Sequence, residues 1–137
     1  MCRLNRKTKR KSATIYKVVL KVDDKYYSYF AGTEIKIGKV EPQTSDDNKR
    51  RSKMFYGLGH EYRFGNPWYN EHMVGRTSGF TDRLSAKIFL NQCSGEVRIL
   101  KLNIGGEIWE GSGDSVGKGL EKSMILAGDE ILSFEEK

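Results

Sequence analysis

The sequence of 137 residues is poor in the residues on which several classes of protein depend, with only two cysteines, two histidines and two prolines. Two cysteines cannot build a disulfide framework or a zinc quartet. No run of about 18 apolar residues is present, so the sequence predicts no membrane span. The basic N-terminus is not followed by the apolar core of a signal peptide, so we expect a reduced, cytoplasmic protein.

Positive charge is concentrated at the N-terminus. Residues 1–12 contain six basic and no acidic side chains, whereas residues 13–137 contain 18 of each. We therefore expect a basic flexible tail over 1–12 and a single domain over 13–137. Cations grouped in this way neutralise phosphates, which makes the tail a candidate nucleic-acid arm. The candidate contacts are Arg6, Lys9, Arg10 and Lys11. The alternative is a solvated tail that only aids solubility.

Alternation of apolar and polar residues predicts strands over much of the chain. The predicted strands are 13–22, 26–32, 33–40, 96–104, 105–111 and 121–136, the last broken at Gly128. The first two form a hairpin around 23–25. Residues 81–93 predict the main helix, with Thr81 as its N-cap and an apolar stripe of Leu84, Ile88 and Phe89.

This order of elements predicts an α+β fold, with a small, mostly antiparallel sheet, one main helix over 81–93 and a long aromatic loop over 54–80. Aromatic rings and basic side chains alternate in that loop. The candidate ligand- or partner-binding residues are His60, Tyr62, Arg63, Trp68, Tyr69 and Arg76. Three interpretations stay open: a stacking platform for bases, a protein-interface hot spot, or rings that are buried against the sheet.

The stretch "GSGDSVGKG" over 111–119 approaches a phosphate-binding loop but does not match it. That pattern needs Gly where the chain has Ser112, and a hydroxyl where it has Gly119. Residues 113–117 match Gly-x-Ser-x-Gly, but the hydrolase that carries this motif needs a later histidine, and none follows residue 72. We expect a glycine-rich connection between two strands. The spacing of the two histidines matches no zinc motif, so we expect no metal and no cofactor.

Six short motifs follow one another along the chain. They are "YKVV" (16–19), "YYS" (26–28), "SGF" (78–80), "LSAKIFL" (84–90), "VRILKLNIGGEI" (97–108) and "KSMIL" (122–126). In this order they resemble a family of small uncharacterised proteins of phages and related mobile elements. The resemblance implies a fold rather than an activity.

The run "GRTSGFTDRLSAKIFL" (75–90) also resembles a segment of small ADP-ribosyltransferase-like folds, in which Gly-Phe precedes a helix. The resemblance implies a late catalytic glutamate, for which Glu130 is the candidate. Such enzymes also use an Arg or His on an early strand, and "IYKVVLKV" has neither.

We therefore expect a non-enzymatic binding protein, encoded by a phage or mobile element, that acts in the host cytoplasm. Its basic tail and aromatic loop would engage RNA, DNA or a ribonucleoprotein, or else a host protein. The alternative is an ADP-ribosyltransferase-like or nucleotide-binding enzyme or sensor, with its pocket under the 54–80 loop. A third interpretation is an interaction module whose tail only aids solubility.

Overall fold

The structure, a computed structural model, describes residues 3–29, 32–42, 75–112 and 123–137. Strands dominate these residues, with one short helix. The elements are β1 (Arg3–Lys7), β2 (Ser12–Val22), β3 (Lys25–Ser28), β4 (Gly38–Lys39), β5 (Thr77–Phe80), α1 (Arg83–Leu90), β6 (Val97–Gly105), β7 (Trp109–Ser112), β8 (Met124–Gly128) and β9 (Glu130–Glu136).

The strands form one curled antiparallel sheet, an open half-barrel. Along the sheet the order is β1, β7, β8, β5, β2, β6, β9, β4, and β3 also pairs with β2. The predicted hairpin of β2 and β3 is confirmed, because Asp23 and Asp24 both adopt positive φ angles (49° and 65°), as a tight two-residue hairpin turn requires.

The expected α+β class with one main helix is wrong, because 57% of the described residues are strand and 9% are helix. The predicted helix over 81–93 is only eight residues long. Asn91 to Cys93 leave the helix through short turns, with Cys93 N donating to Leu90 O, and Gly95 then adopts a φ of 94°. The predicted third strand over 33–40 is reduced to β4 and one isolated bridge at Glu34.

The N-cap of α1 differs from the prediction, and its predicted apolar stripe is confirmed at Phe89 and Ile88 but not at Leu84. Asp82, not Thr81, caps the helix, since its carboxylate accepts from Ser85 N at 2.8 Å. Leu84 is 68% exposed, whereas Ala86 and Phe89 are buried. The hydroxyl of Ser85, on the buried side of the helix, is held by both Asp82 and Ser123.

Residues 3–7 form β1 of the sheet, and Ser12 begins β2. Leu4 is 1% exposed and pairs with Gly111 of β7, so β1 contributes both a buried side chain and ladder hydrogen bonds. A single leucine among six cations is a weak signal in the sequence. Its burial depends on a partner strand that lies about a hundred residues later in the chain.

Three pairs of consecutive strands, β1–β2, β6–β7 and β8–β9, each bend at the same place in the sheet. β1 and β2 face β7 and β6 in one antiparallel ladder, which turns through residues 8–11 on one path and 106–108 on the other. β8 and β9 bend at residue 129, where the chain leaves the β5–β7 half of the sheet for the β6–β4 half. We call residues 8–11, 105–108 and 128–129 the corner.

Glycine is required on the inner side of the corner. Gly106 has a φ of 77°, and a Cβ atom there would overlap the carboxylate of Asp129. A Cβ atom on Gly128 would lie 2.8 Å from the carbonyl oxygen of Gly105. The paths cross this closely only because side chains are missing at these positions.

Both faces of the curled sheet are covered. On one face, α1 packs Ala86 and Phe89 into a cluster with Val18, Phe80 and Ile99. On the other face, Ile35 from the segment after β3 closes a second cluster, whose buried members include Ile15, Leu102, Ile104, Ile108 and Leu126.

Candidate functional site: the basic corner

The structure brings most of the described sequence candidates to the corner. Arg6 precedes it in β1, Lys9, Arg10 and Lys11 lie within it, and Arg76 enters β5 beside it. Five candidates of the aromatic loop lie outside the described residues, namely His60, Tyr62, Arg63, Trp68 and Tyr69. Residues 113–119 of the glycine-rich stretch also lie outside them, whereas Gly111 and Ser112 end β7. That stretch connects β7 to β8, which pair with each other.

Two charges of β1, those of Arg6 and Lys7, are matched by neighbouring carboxylates. Arg6 forms an ion pair with Glu110 across the β1–β7 ladder. Lys7 Nζ lies 3.8 Å from a carboxylate oxygen of Glu107. Arg6 therefore differs from the other three predicted phosphate contacts, because a phosphate would have to compete with Glu110 for it.

Lys9, Arg10 and Lys11, which we call the basic connection, are exposed one after another. Within the described part of the chain, none of the three forms an ion pair. No described carboxylate therefore neutralises these three charges.

Thr8 anchors the basic connection to the opposite path of the corner. Its backbone N–H and its hydroxyl both donate to Ile108 O, at 2.8 and 2.9 Å. Its hydroxyl oxygen accepts from Arg10 N at 3.1 Å. Ser12 then pairs with Gly105, so both ends of the basic connection are held. A held loop loses less conformational entropy on binding than a free tail.

Arg76 belongs to a compact cluster with Glu107 and Trp109. Its Nη2 donates to Glu107 Oε1 at 3.0 Å, and its guanidinium lies 5.4 Å from the centre of the Trp109 ring. Trp109 Nε1 donates to the same carboxylate oxygen at 2.7 Å. The indole donor, together with the charges of Lys7 and Arg76, lowers the pKa of Glu107 below its usual 4.5. Glu107 is therefore ionised at neutral pH and joins β1, β5 and β7.

Glu107 and Trp109 were not among the sequence candidates. The stretch "GGEIWEG" indicates only a turn and a short strand. The available signal is the spacing, because residues two apart in an extended segment point to the same side. A carboxylate and an indole ring on one side are suited to hold an arginine, the carboxylate as acceptor and the ring through its face.

A small cavity lies at a split in the sheet, far along β2 from the corner. One edge of β2 pairs with β5 at Tyr16 and with β3 from Val19 onward, so the edge is divided at 17–18. Lys17 Nζ reaches across the split and donates to Ser78 O at 2.8 Å. The cavity measures about 50 Å³, and its lining includes Lys17, Ser28, Tyr29, Ser78, Phe80 and Phe89. This volume admits water-sized groups, well below a typical ligand pocket.

Two groups with potential chemistry, Glu130 and Cys93, do not line this cavity. Glu130, the implied catalytic residue, is exposed at the start of β9, opposite Lys39 and Gly105, and does not line the cavity. Burial raises the pKa of the Cys93 thiol to about 11, against the effect of a hydrogen bond with Tyr29. A thiol that is protonated at neutral pH is a poor nucleophile.

Among residues 3–29, 32–42, 75–112 and 123–137, no group of three or more His, Cys, Asp or Glu side chains is placed to hold a metal ion. Over the same ranges, no helix has the length and apolar character needed to cross a membrane. No protein-family model, no curated protein and no solved structure matches this chain.

Proposed function

We propose that this protein is a non-enzymatic binding protein that holds nucleic acid through the basic connection of the corner. The observation that carries the proposal is the exposure of Lys9, Arg10 and Lys11 on an anchored loop, without ion pairs in the described part of the chain. Cations held in this way neutralise phosphates and release the ions condensed on them.

The balance of charge around the corner supports the proposal. Six described cationic side chains, two from β1, three from the corner and that of Arg76, lie around three carboxylates, an excess of three positive charges. The cations are Arg6, Lys7, Lys9, Arg10, Lys11 and Arg76, and the carboxylates are those of Glu107, Glu110 and Asp129. Glu107 and Glu110 are held by Lys7, Arg76 and Arg6. Among these described side chains, the cations without an ion pair are therefore those of the basic connection.

The test is fluorescence anisotropy with short labelled nucleic acids, on the full chain and on Lys9→Ala/Arg10→Ala/Lys11→Ala. At about 0.1 M salt we expect the triple variant to bind roughly 100-fold more weakly, because three counterion-releasing contacts are lost. Deletion of residues 1–12 is not a suitable test, since it also removes β1 and the buried Leu4.

A matched control is Lys25→Ala/Arg83→Ala/Lys87→Ala, which removes three exposed cations from β3 and α1. It changes the net charge by the same amount, and we expect affinity within about threefold of the unmodified chain. Equal losses of affinity in both variants would show that overall charge, and not the basic connection, causes the effect. Absence of binding by the full chain to any RNA or DNA would refute the proposed function and direct the search to a protein partner.

A further inference from the structure

The corner has the features of a site that senses charge and does not read bases. Proteins that hold single strands combine cations with aromatic faces on which bases stack. The described aromatic side chain next to the basic connection is Trp109, which pairs with Lys7 in the β1–β7 ladder.

Trp109 is already engaged on several sides. Its Nε1 donates to Glu107, and the Arg76 guanidinium lies over its ring. Its ring also packs against the buried cluster that contains Ile125 and Ala127. Stacking of a base on Trp109 would require the Arg76 contact to break, so this ring does not serve as a platform.

The amide side chains that read the edge of adenine by hydrogen bonds are missing from the basic connection itself. Asn and Gln are suited to such contacts, and the connection has neither. The hydroxyl of Thr8 is occupied by Ile108 O and Arg10 N. What projects from the corner is positive charge on flexible stems, and contacts of that kind position a protein on a backbone without specifying sequence.

From these observations we infer that the corner binds double-stranded nucleic acid through its phosphate backbone, with little dependence on base sequence. This inference rests on the proposed function and names its substrate class. A charge-only site favours the duplex because two strands present about one charge per 1.7 Å of axis, against about one per 3.4 Å for each strand. Duplex DNA and duplex RNA share this chemistry.

The experiment measures the affinity of the full chain for matched probes across a salt series. The probes are one AT-rich and one GC-rich DNA duplex, an RNA duplex, and the separated strands of each. We expect the two DNA duplexes to bind within about threefold of each other, and their single strands at least about fivefold more weakly. The RNA duplex shows whether one duplex form is preferred.

Salt dependence counts the contacts that the corner makes. For three phosphate contacts, the slope of log affinity against log salt on duplex is about −2.7. We therefore expect the slope of Lys9→Ala/Arg10→Ala/Lys11→Ala to be shallower than that of the full chain by about 2.7, while the Lys25→Ala/Arg83→Ala/Lys87→Ala control keeps the full slope.

Arg10→Lys separates a charge contact from base reading. It keeps the charge but loses the planar fork with which arginine recognises guanine. We expect affinity for both DNA duplexes to stay within about twofold of the unmodified chain.

Each other result contradicts the inference in an identifiable way. Preference for single strands, a difference above about tenfold between the duplexes, or a selective loss in Arg10→Lys would overturn it while leaving nucleic-acid binding in place. An unchanged slope in the triple variant would place the contacts outside the corner. Failure to bind any probe would refute the proposed function itself.

Discussion

The two sides of the corner differ in what they tolerate. On the inner side, Gly106 and Gly128 pass so close to neighbouring atoms that even a methyl group would collide, and Ile108 is completely buried. On the outer side, a few ångströms of backbone away, the three side chains of the basic connection are exposed. The inner side determines whether the sheet bends, and the outer side determines what the bend presents to a partner.

This contrast indicates that stability and the proposed binding depend on different residues of one short region. Mutational losses of stability come mainly from cavities, strain and broken buried contacts, and exposed positions away from such features contribute little. The inner and outer sides can therefore be changed separately.

The largest expected effect is at Ile108. Ile108→Ala leaves a void in the buried cluster and should lower the free energy of unfolding by about 3 kcal/mol. The matched control is Ile37→Ala, because Ile37 is 69% exposed and should change stability by less than about 0.5 kcal/mol. Denaturant unfolding of both variants tests this. Similar losses in the two would show that the inner side of the corner is not tightly packed.

Gly106→Ala should cost about 2 kcal/mol, from left-handed backbone strain and from displacement of Asp129. Asp129 accepts from Glu107 N at 3.3 Å, so Asp129→Ala alone should cost about 1 kcal/mol. The double variant removes the collision, and we expect it to be more stable than additivity predicts by about 1 kcal/mol. Strict additivity in denaturant unfolding would show that the Asp129 carboxylate does not restrict position 106.

Glu107 links the two sides and should make stability depend on acid pH. Its pKa is lowered in the folded protein, so its stabilising effect is present above its usual value of 4.5 and is lost as pH falls through the lowered pKa. We expect Glu107→Gln to lower the melting temperature slightly at neutral pH and to reduce its fall below pH 4.5. Parallel melting curves for the two proteins across acid pH would contradict this role.

The smallest expected effect is on the outer side. Lys9→Ala/Arg10→Ala/Lys11→Ala should change the free energy of unfolding by less than about 0.5 kcal/mol, because none of the three side chains is buried or ion-paired in the described structure. Circular dichroism and denaturant unfolding provide the measurement. A loss above about 1 kcal/mol would show that the basic connection also supports the fold.

Local patterns in the sequence predicted the parts of the fold that depend on neighbouring residues. The turn at Asp23 and Asp24 and the strand over 96–104 were found, because hairpin turns and alternation are short-range signals. The helix was predicted in the right place but too long, over 81–93 where the structure has Arg83–Leu90. Its N-cap was misassigned by one position, since Thr81 and Asp82 are both good caps and only the Ser85 hydrogen bond distinguishes them.

The candidate site was predicted in part. Charge alone singled out the basic residues, and their grouping in 6–11 is visible without a structure. That Arg6 is neutralised by Glu110 while Lys9 to Lys11 are not depends on the β1–β7 register. Arg76 was named as part of the 54–80 loop, and the structure places it beside Trp109 and Glu107.

The sequence by itself determined where strands and charge lie, because alternation, turn residues and composition act over a few positions. The tertiary structure decided that the described residues form a curled antiparallel sheet, and that residues 3–7 are its first strand. It also decided that residues 8–11, 105–108 and 128–129 meet. Thr8 and Ile108, whose hydrogen bonds hold the corner, are 100 positions apart. Contacts at that separation form only when packing of the whole sheet offsets the entropy of closing the loop between them.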